Sequence, residues 1–264
     1  MDLQLKGKRA LVTGATAGIG HAIARTLAAE GAEVLINGRA LDRVDAAISA
    51  ISRDVPGAQL RPAVADLSGA EGAAALIKAH PEVDILVNNV GIFEPVAFER
   101  IDDADWLRFF EINVMSGVRL SRHYLPRMKA ANWGRVVFIS SESGLCPPAE
   151  MLHYGMTKSA QLSLSRGLAE TTVGSAVTVN AVLPGPTRTE GVGTFMARLA
   201  SEQGLTMAEA EARFFAQARP SSLLQRFIEP LEVAALVAYV CSPLAAATNG
   251  AALRVDGGVV RTNA

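Results

Sequence analysis

The chain has 264 residues, half of them hydrophobic and 19% charged, which suits one large domain or two small ones. A formal net charge of -1 offers no basic field to nucleic acid or an anionic membrane, and no apolar run approaches membrane-spanning length. Cys146 and Cys241 lie far apart, the four histidines are not paired at ligand spacing, and no charged-then-apolar leader precedes the first segment; a cytoplasmic chain without a metal site is expected.

Lys8 to Thr13 reads as a buried strand running into Gly14-Ala15-Thr16-Ala17-Gly18-Ile19-Gly20 and then an apolar-periodic helix, His21 to Glu30. Strand, glycine turn and helix in succession is the context in which glycines admit a pyrophosphate to a helix N-terminus. Glu33 to Asn37 is a second strand, ending at Gly38-Arg39, where a Rossmann fold meets the adenosine ribose. No carboxylate stands there to hold a 2′-hydroxyl. Arg39 suits a 2′-phosphate, or is a solvated loop cation. A helix, Leu41 to Ile51, precedes a third strand, Gln59 to Val64, which stops at Asp66-Leu67. Asp66 either accepts from an adenine amino group or caps the helix that begins near Gly69.

Val83 to Val87 is a fourth strand, followed by Asn88-Asn89-Val90-Gly91, whose amides either tie strand ends together or form an ordinary turn. One long helix is predicted from Asp103 to Lys129, with Asn113 in its interior, a poor place for asparagine. Arg135 to Ile139 is a fifth strand, ending in Ser140-Ser141-Glu142, and a helix from Met151 to Thr172 follows. Ala176 to Val182 is the sixth strand, broken by Pro184-Gly185-Pro186. From Thr187 to about Pro230 the pattern weakens to turns and one helical run, Met207 to Ala218; this insertion is the expected lid. A helix, Leu231 to Cys241, and a strand, Gly250 to Val255, close the chain. The alternation, without linker or repeat, predicts a single-domain α/β fold: a doubly wound, parallel, seven-stranded Rossmann sheet with helices on both faces.

The Tyr154-Gly-Met-Thr-Lys158 stretch puts a phenol and an ammonium on one helix face, either as a reactive pair or, as the motif alone would suggest, as one aromatic and one solvated lysine. At about 4 Å and an effective dielectric of about 20, the ammonium favours phenolate by roughly 4 kcal/mol. That is about three pKa units, enough to bring a tyrosine near operating pH.

Thr13-Gly14-x-x-x-Gly18-Ile19-Gly20, Asn88-Asn89-x-Gly91, Asn113, Ser141, Tyr154-x-x-x-Lys158 and Pro184-Gly185 stand in one order along almost the whole chain. In that order and spacing the sequence resembles the short-chain dehydrogenase/reductases, in the single-domain branch that includes the 3-oxoacyl-carrier-protein reductases. The resemblance implies an oxidoreductase that interconverts a small carbonyl compound and a secondary alcohol. Its cofactor would be NADP(H) by preference, with NAD(H) usable, since Ala17 stands where many NADP-binding relatives add a second basic residue. Tyr154 would be the acid or base and Ser141, 13 residues before it, the holder of the substrate oxygen. Lys158 would hold the nicotinamide ribose and depress the Tyr154 pKa, and Asn113 would position a water that relays protons to Lys158. Gly14, Thr16, Ala17, Gly18, Ile19, Gly20, Arg39, Asp66, Leu67, Asn89, Val90 and Gly91 would line the dinucleotide, with Pro184, Gly185, Thr187 and Thr189 at its carboxamide. Members commonly form dimers and tetramers through the helices bearing Asn113 and Tyr154, so a homo-oligomer is expected. The contrasting reading is a catalytically silent dinucleotide sensor or scaffold.

Glu142 is read as a solvent-facing loop carboxylate, the alternative being a group that repels anions or selects an amine or hydroxyl. His153 is expected to point away from the site. Phe93, Leu145, Pro147, Pro148, Phe195 and Met196 are the candidate walls of an apolar substrate pocket.

Overall fold

In the computed structural model, which describes residues 1–262, the apolar strands form one sheet. In chain order the elements are β1 (Arg9–Val12), α1 (Gly18–Ala29), β2 (Glu33–Gly38), α2 (Leu41–Asp54), β3 (Gln59–Val64), α3 (Ala70–Ala79) and β4 (Ile85–Asn88). Then come α4 (Asp103–Phe110), α5 (Ser116–Ala130), β5 (Gly134–Ile139), α6 (Leu152–Glu170) and β6 (Val177–Pro184). The chain continues through α7 (Glu190–Gln203), α8 (Met207–Gln217), α9 (Pro230–Cys241) and β7 (Ala252–Val255).

The strand order is β3-β2-β1-β4-β5-β6-β7, and every neighbouring pair is parallel. Each position of β5 and β6 is buried, as strands covered on both faces require. Successive side chains go to opposite layers. Val12, Ile36, Val87 and Val137 pack with Ile23 and Leu27 of α1, Val44 of α2 and Val237 of α9. Leu11, Leu35, Leu86 and Phe138 pack with Leu76 of α3 and with Leu120 and Tyr124 of α5. The winding reverses between β1 and β4, and ligands of such sheets sit in the crevice at that switch point, beyond the strand C-termini.

Two expectations differ from what is observed. The helix predicted from Asp103 to Lys129 is two helices, α4 and α5, separated by a single π-helical turn, Glu111–Met115. Asn113 lies in that turn and is buried, so its awkwardness in a helix interior marks a break in the helix. The insertion is also more ordered than its polar pattern predicts. It contains α7, and Met196 and Ala200 of α7 pack with Ala210 and Phe215 of α8 and with Phe227. Thr206 starts α8 with a capping box to Glu209.

The close approach of β1 to α1 is what opens the switch-point crevice, and Gly20 makes it possible. A Cβ on Gly20 would collide with the Gly14 carbonyl and with Asn89 Nδ2. Gly20→Ala is therefore expected to lower stability by about 1–3 kcal/mol, the cost of forcing one extra carbon into a packed interior. A thermal unfolding midpoint equal to that of the unmodified protein would show that β1 and α1 can separate freely.

Candidate active site

The glycine turn is built to leave backbone amides facing outward. Gly14 and Gly18 have φ of 61° and 55°, conformations that side chains rarely adopt. α1 begins at Gly18 with no side-chain cap and no acidic residue in its first turn. Its leading N–H groups and positive dipole end stay open to an anion, which fits the pyrophosphate of a dinucleotide. Asn89 locks the turn from the neighbouring strand. Its Nδ2 donates to the carbonyls of Thr13 (2.9 Å) and Gly14 (3.2 Å), and the N–H groups of Asn89 and Val90 donate to Thr13 Oγ1. Asn37, absent from the sequence expectations, does the same from the other side: Gly14 N donates to its Oδ1, while its Nδ2 donates to the carbonyls of Ala63 and Ala65. A buried asparagine within a strand, between apolar neighbours, was the signal available.

At the ribose end, Gly38 is glycine for a steric reason. A Cβ there would lie 2.5 Å from the Thr16 methyl and 2.9 Å from a Val44 methyl. Packing therefore accounts for the missing carboxylate at this position independently of cofactor choice. Arg39 is exposed, and its charge helps to depress the Asp66 carboxyl below its usual range, after the Ser68 N–H, which is the larger cause. Asp66 accepts from Ser68 N at 2.9 Å and is not the cap of α3, whose first residue follows Gly69 without a side-chain cap. Leu67 points into the core below the sheet, so only its backbone is available to a ligand.

Asn113, Lys158 and Gln161 form a buried network at the centre. The Asn113 side chain is fully engaged: Oδ1 accepts from Ile92 N (2.8 Å), and Nδ2 donates to Ile92 O and Thr157 Oγ1 (both 3.0 Å). Its main-chain carbonyl, in the π-helical turn, accepts from Gln161 Nε2 at 2.6 Å. Gln161 Oε1 accepts in turn from Lys158 Nζ at 3.2 Å, and Lys158 Nζ also donates to the Ile139 carbonyl at 2.9 Å. The Gln161 amide therefore joins the Asn113 carbonyl to Lys158. Gln161 was not singled out in the sequence, although a glutamine one turn after Lys158 shares its helix face.

Tyr154, half-buried, lies with its ring centroid 5.5 Å from Lys158 Nζ. Burial brings the Lys158 pKa down to about 8, with Glu142 opposing that fall. Burial also pushes the Tyr154 phenol up, and a charged Glu142 pushes it further; the hydrogen bond with Ser141 and the Arg219 charge pull the other way. In the protein alone, burial is the largest influence on both groups, raising the phenol and lowering the ammonium. Glu142 is a correction. It is 5% exposed rather than solvent-facing. Ser141 Oγ donates to its Oε2 and accepts from Ser143 N (3.1 Å), while Arg219 Nε stands 3.6 Å from its Oε1. Burial raises the Glu142 pKa against the opposing hydrogen bond and charge of those neighbours. His153 turns away, as expected, to pack on Phe109 and Trp106.

Ser141, Glu142 and Tyr154 floor a cavity of about 410 Å³, whose rim includes Ile19, Pro184, Gly185, Thr187 and Thr189. Phe93 and Phe195 line it as expected, joined by Met151, Val192, Leu199 and Phe214. Met196 faces the small core of the insertion instead, and Leu145, Pro147 and Pro148 are not in the lining. Thr187 Oγ1 donates to the Gly185 carbonyl, and the Thr189 hydroxyl oxygen caps α7 by accepting from Val192 N.

A doubly wound sheet with an open glycine turn and a tyrosine and lysine at its switch point defines a dinucleotide-dependent oxidoreductase. Residues 8–200 match the short chain dehydrogenase family, and the chain belongs to it as an NAD(P)-dependent enzyme. It is 54% identical over 262 residues to the uncharacterised oxidoreductase YvaG of Bacillus subtilis (strain 168), covering 99% of each chain. It is 33% identical to the 3-oxoacyl-[acyl-carrier-protein] reductase FabG of Aquifex aeolicus (strain VF5), over 98% of this chain and 100% of that one. The structure of L-sorbose reductase from Gluconobacter frateurii, complexed with NADPH and L-sorbose, superposes with a TM-score of 0.93 at 29% identity, over 99% of this chain and 100% of that one. The enzyme reading therefore displaces the silent-sensor reading. Among the described residues no helix is long and apolar enough to cross a membrane.

Gln161→Met removes the amide while keeping the volume and leaves the Asn113 carbonyl and one Lys158 hydrogen without their buried partner. A loss of about 1–3 kcal/mol is expected for such orphaned groups. Chemical denaturation of the ligand-free protein checks this, and an unchanged midpoint would mean that the network is satisfied without Gln161.

Proposed function

We propose that the enzyme interconverts an apolar ketone and its secondary alcohol, using NADP(H) in preference to NAD(H). The observation that carries this reading is the meeting of Ser141 and Tyr154 at the floor of an apolar cavity that reaches Ile19 of the glycine turn, with Lys158 Nζ 5.5 Å from the Tyr154 ring centroid behind them. When bound, the dinucleotide supplies or accepts the hydride. The protein's part is orientation and one proton. Tyr154 gives its hydroxyl proton to the substrate oxygen during reduction and takes it back during oxidation. Ser141 holds that oxygen by a hydrogen bond. Lys158 has three N–H donors, of which two go to Ile139 O and Gln161 Oε1, and the third would serve the nicotinamide ribose. The Thr187 backbone and Thr189, beside Pro184 and Gly185, would hold the carboxamide, and Asn113 keeps the loop at Ile92 and the Lys158 network in register. Phe93, Met151, Phe195 and Phe214 favour a substrate with an apolar body, and α7 and α8 form the wall that encloses it.

The preference for NADP(H) rests on Arg39, because packing explains Gly38 without reference to the cofactor. One charge-assisted contact to a 2′-phosphate is worth roughly 1.5–3 kcal/mol. Ala17 supplies no second cation, so a preference near the lower end, about tenfold, is expected in kcat/KM for NADPH over NADH. Arg39→Ala should nearly abolish it. NADH preferred by the unmodified enzyme would show that Arg39 stays in solvent.

Tyr154→Phe keeps the ring and removes the transferable proton. Across a panel of apolar ketones it should lower kcat by at least about a hundredfold, with NADPH affinity little changed. Near-normal turnover by this variant would refute the assignment of Tyr154.

A further inference from the structure

A serine hydroxyl has one hydrogen to donate. At Ser141, beside the Tyr154 phenol that also meets it, that hydrogen has two competing acceptors. One is the Glu142 carboxylate, which receives it in this structure. The other is the substrate carbonyl oxygen, which the reading above has Ser141 hold. The two uses exclude each other, so the proton on Glu142 decides between them.

The surroundings of Glu142 keep both of its states within reach. It sits in a short turn (142–144) after β5, buried against α6. The charged or titratable groups that face it are Tyr154 and Lys158 from α6, Glu150 from the turn before α6, and Arg219 from the segment after α8. Arg219 is the only cation paired with it among the described residues, at 3.6 Å, beyond hydrogen-bond length. Arg219 commits its Nη1 instead to Glu150 (3.0 Å) and the Ala218 carbonyl (2.7 Å). The carboxylate therefore lacks the close, well-formed pairing that would offset its removal from water. Desolvation raises its pKa, and Ser141, Arg219 and Ser143 oppose the rise. Ionised, it also raises Tyr154 and supports the charge on Lys158.

We propose that Glu142 is a proton-holding positioning residue that sets the direction of the Ser141 hydrogen. Protonated, Glu142 donates to Ser141 Oγ and frees the Ser141 hydrogen for the substrate carbonyl. Ionised, it takes that hydrogen and leaves the carbonyl with Tyr154 alone. The Glu142 proton stays in place through turnover, and the proton transferred to substrate is still that of Tyr154. The proposal rests on the assignment of Ser141 and Tyr154 to a substrate carbonyl.

The test compares kcat for reduction as a function of pH in the unmodified enzyme and in Glu142→Gln, with NADPH and whichever ketone the panel shows to be turned over best. A glutamine amide reproduces the donating state and cannot ionise. The unmodified enzyme should lose turnover as pH rises through the Glu142 ionisation, by about tenfold per pH unit. Glu142→Gln should match the unmodified enzyme at low pH to within about threefold and should lack that limb; any limb due to Lys158 remains in both. Arg219→Gln removes the cation and should move the midpoint to higher pH. Infrared spectra of the ligand-free protein, unmodified minus Glu142→Gln, should show a protonated-carboxyl band that titrates with the same midpoint. The proposal is overturned if Glu142→Gln keeps the limb at the original midpoint, or if it folds but is inactive at every pH. An infrared difference without a titrating band also overturns it, and this readout together with Arg219→Gln decides the matter if the variant is too unstable to assay. In each case Tyr154→Phe reports separately on the underlying assignment.

Discussion

Lys158 is an ammonium taken out of water, and the arrangement of the site follows from what that requires. It is 4% exposed and, among the described residues, no carboxylate is paired with it. Its charge is supported by neutral dipoles, the Ile139 carbonyl at the end of β5 and the Gln161 amide one turn along α6. Those partners fix where the ammonium stands relative to the strand ends. They also connect it through Gln161 to the carbonyl of Asn113 in the π-helical turn. The break between α4 and α5 thus has a purpose in the packing. It presents a main-chain acceptor toward α6 while Asn113's side chain holds the loop at Ile92. Incomplete compensation leaves the Lys158 pKa near 8, so its charge near neutral pH depends on groups around it.

Glu142 is the chief of those groups. Burial penalises the charged forms of Tyr154, Lys158 and Glu142, and the Glu142 charge acts on both of the others. Their behaviour is collective: a proton gained or lost by Glu142 changes both the acidity of the phenol and the charge on the lysine. The apolar walls from α7, α8 and the segment carrying Phe93 offer few polar partners near these groups, which strengthens the coupling.

Most of the fold was legible because a parallel sheet covered on both faces writes itself as unbroken apolar runs separated by amphipathic helices. β5 and β6 fall almost where the runs predict them. The misreadings have physical causes. The π-helical turn at Asn113 inserts one residue without altering the apolar period enough to be seen. α7 was missed because its apolar positions, such as Met196 and Ala200, face a small local core rather than the sheet. The glycine turn, Asn89, Ser141, Tyr154 and Lys158 were recognisable because each role demands a particular residue type at a particular spacing.

The sequence by itself determined the order of the elements, the glycine turn and the identity of the residues gathered at the switch point. Those depend on local backbone geometry and on periodicity, which are properties of neighbours along the chain. Only the tertiary structure decided the environments. Glu142 is buried because α6 and Arg219, remote from it in sequence, close over its turn. Gln161 takes the Asn113 carbonyl because a helix 48 residues away passes within hydrogen-bond reach. Gly38 is held to glycine by the methyls of Thr16 and Val44. Charge states and steric limits are set by what lies within a few ångströms in space, and for these residues the chain's own neighbours supply only part of it: Arg219 reaches Glu142 and Thr16 reaches Gly38 from distant parts of the chain.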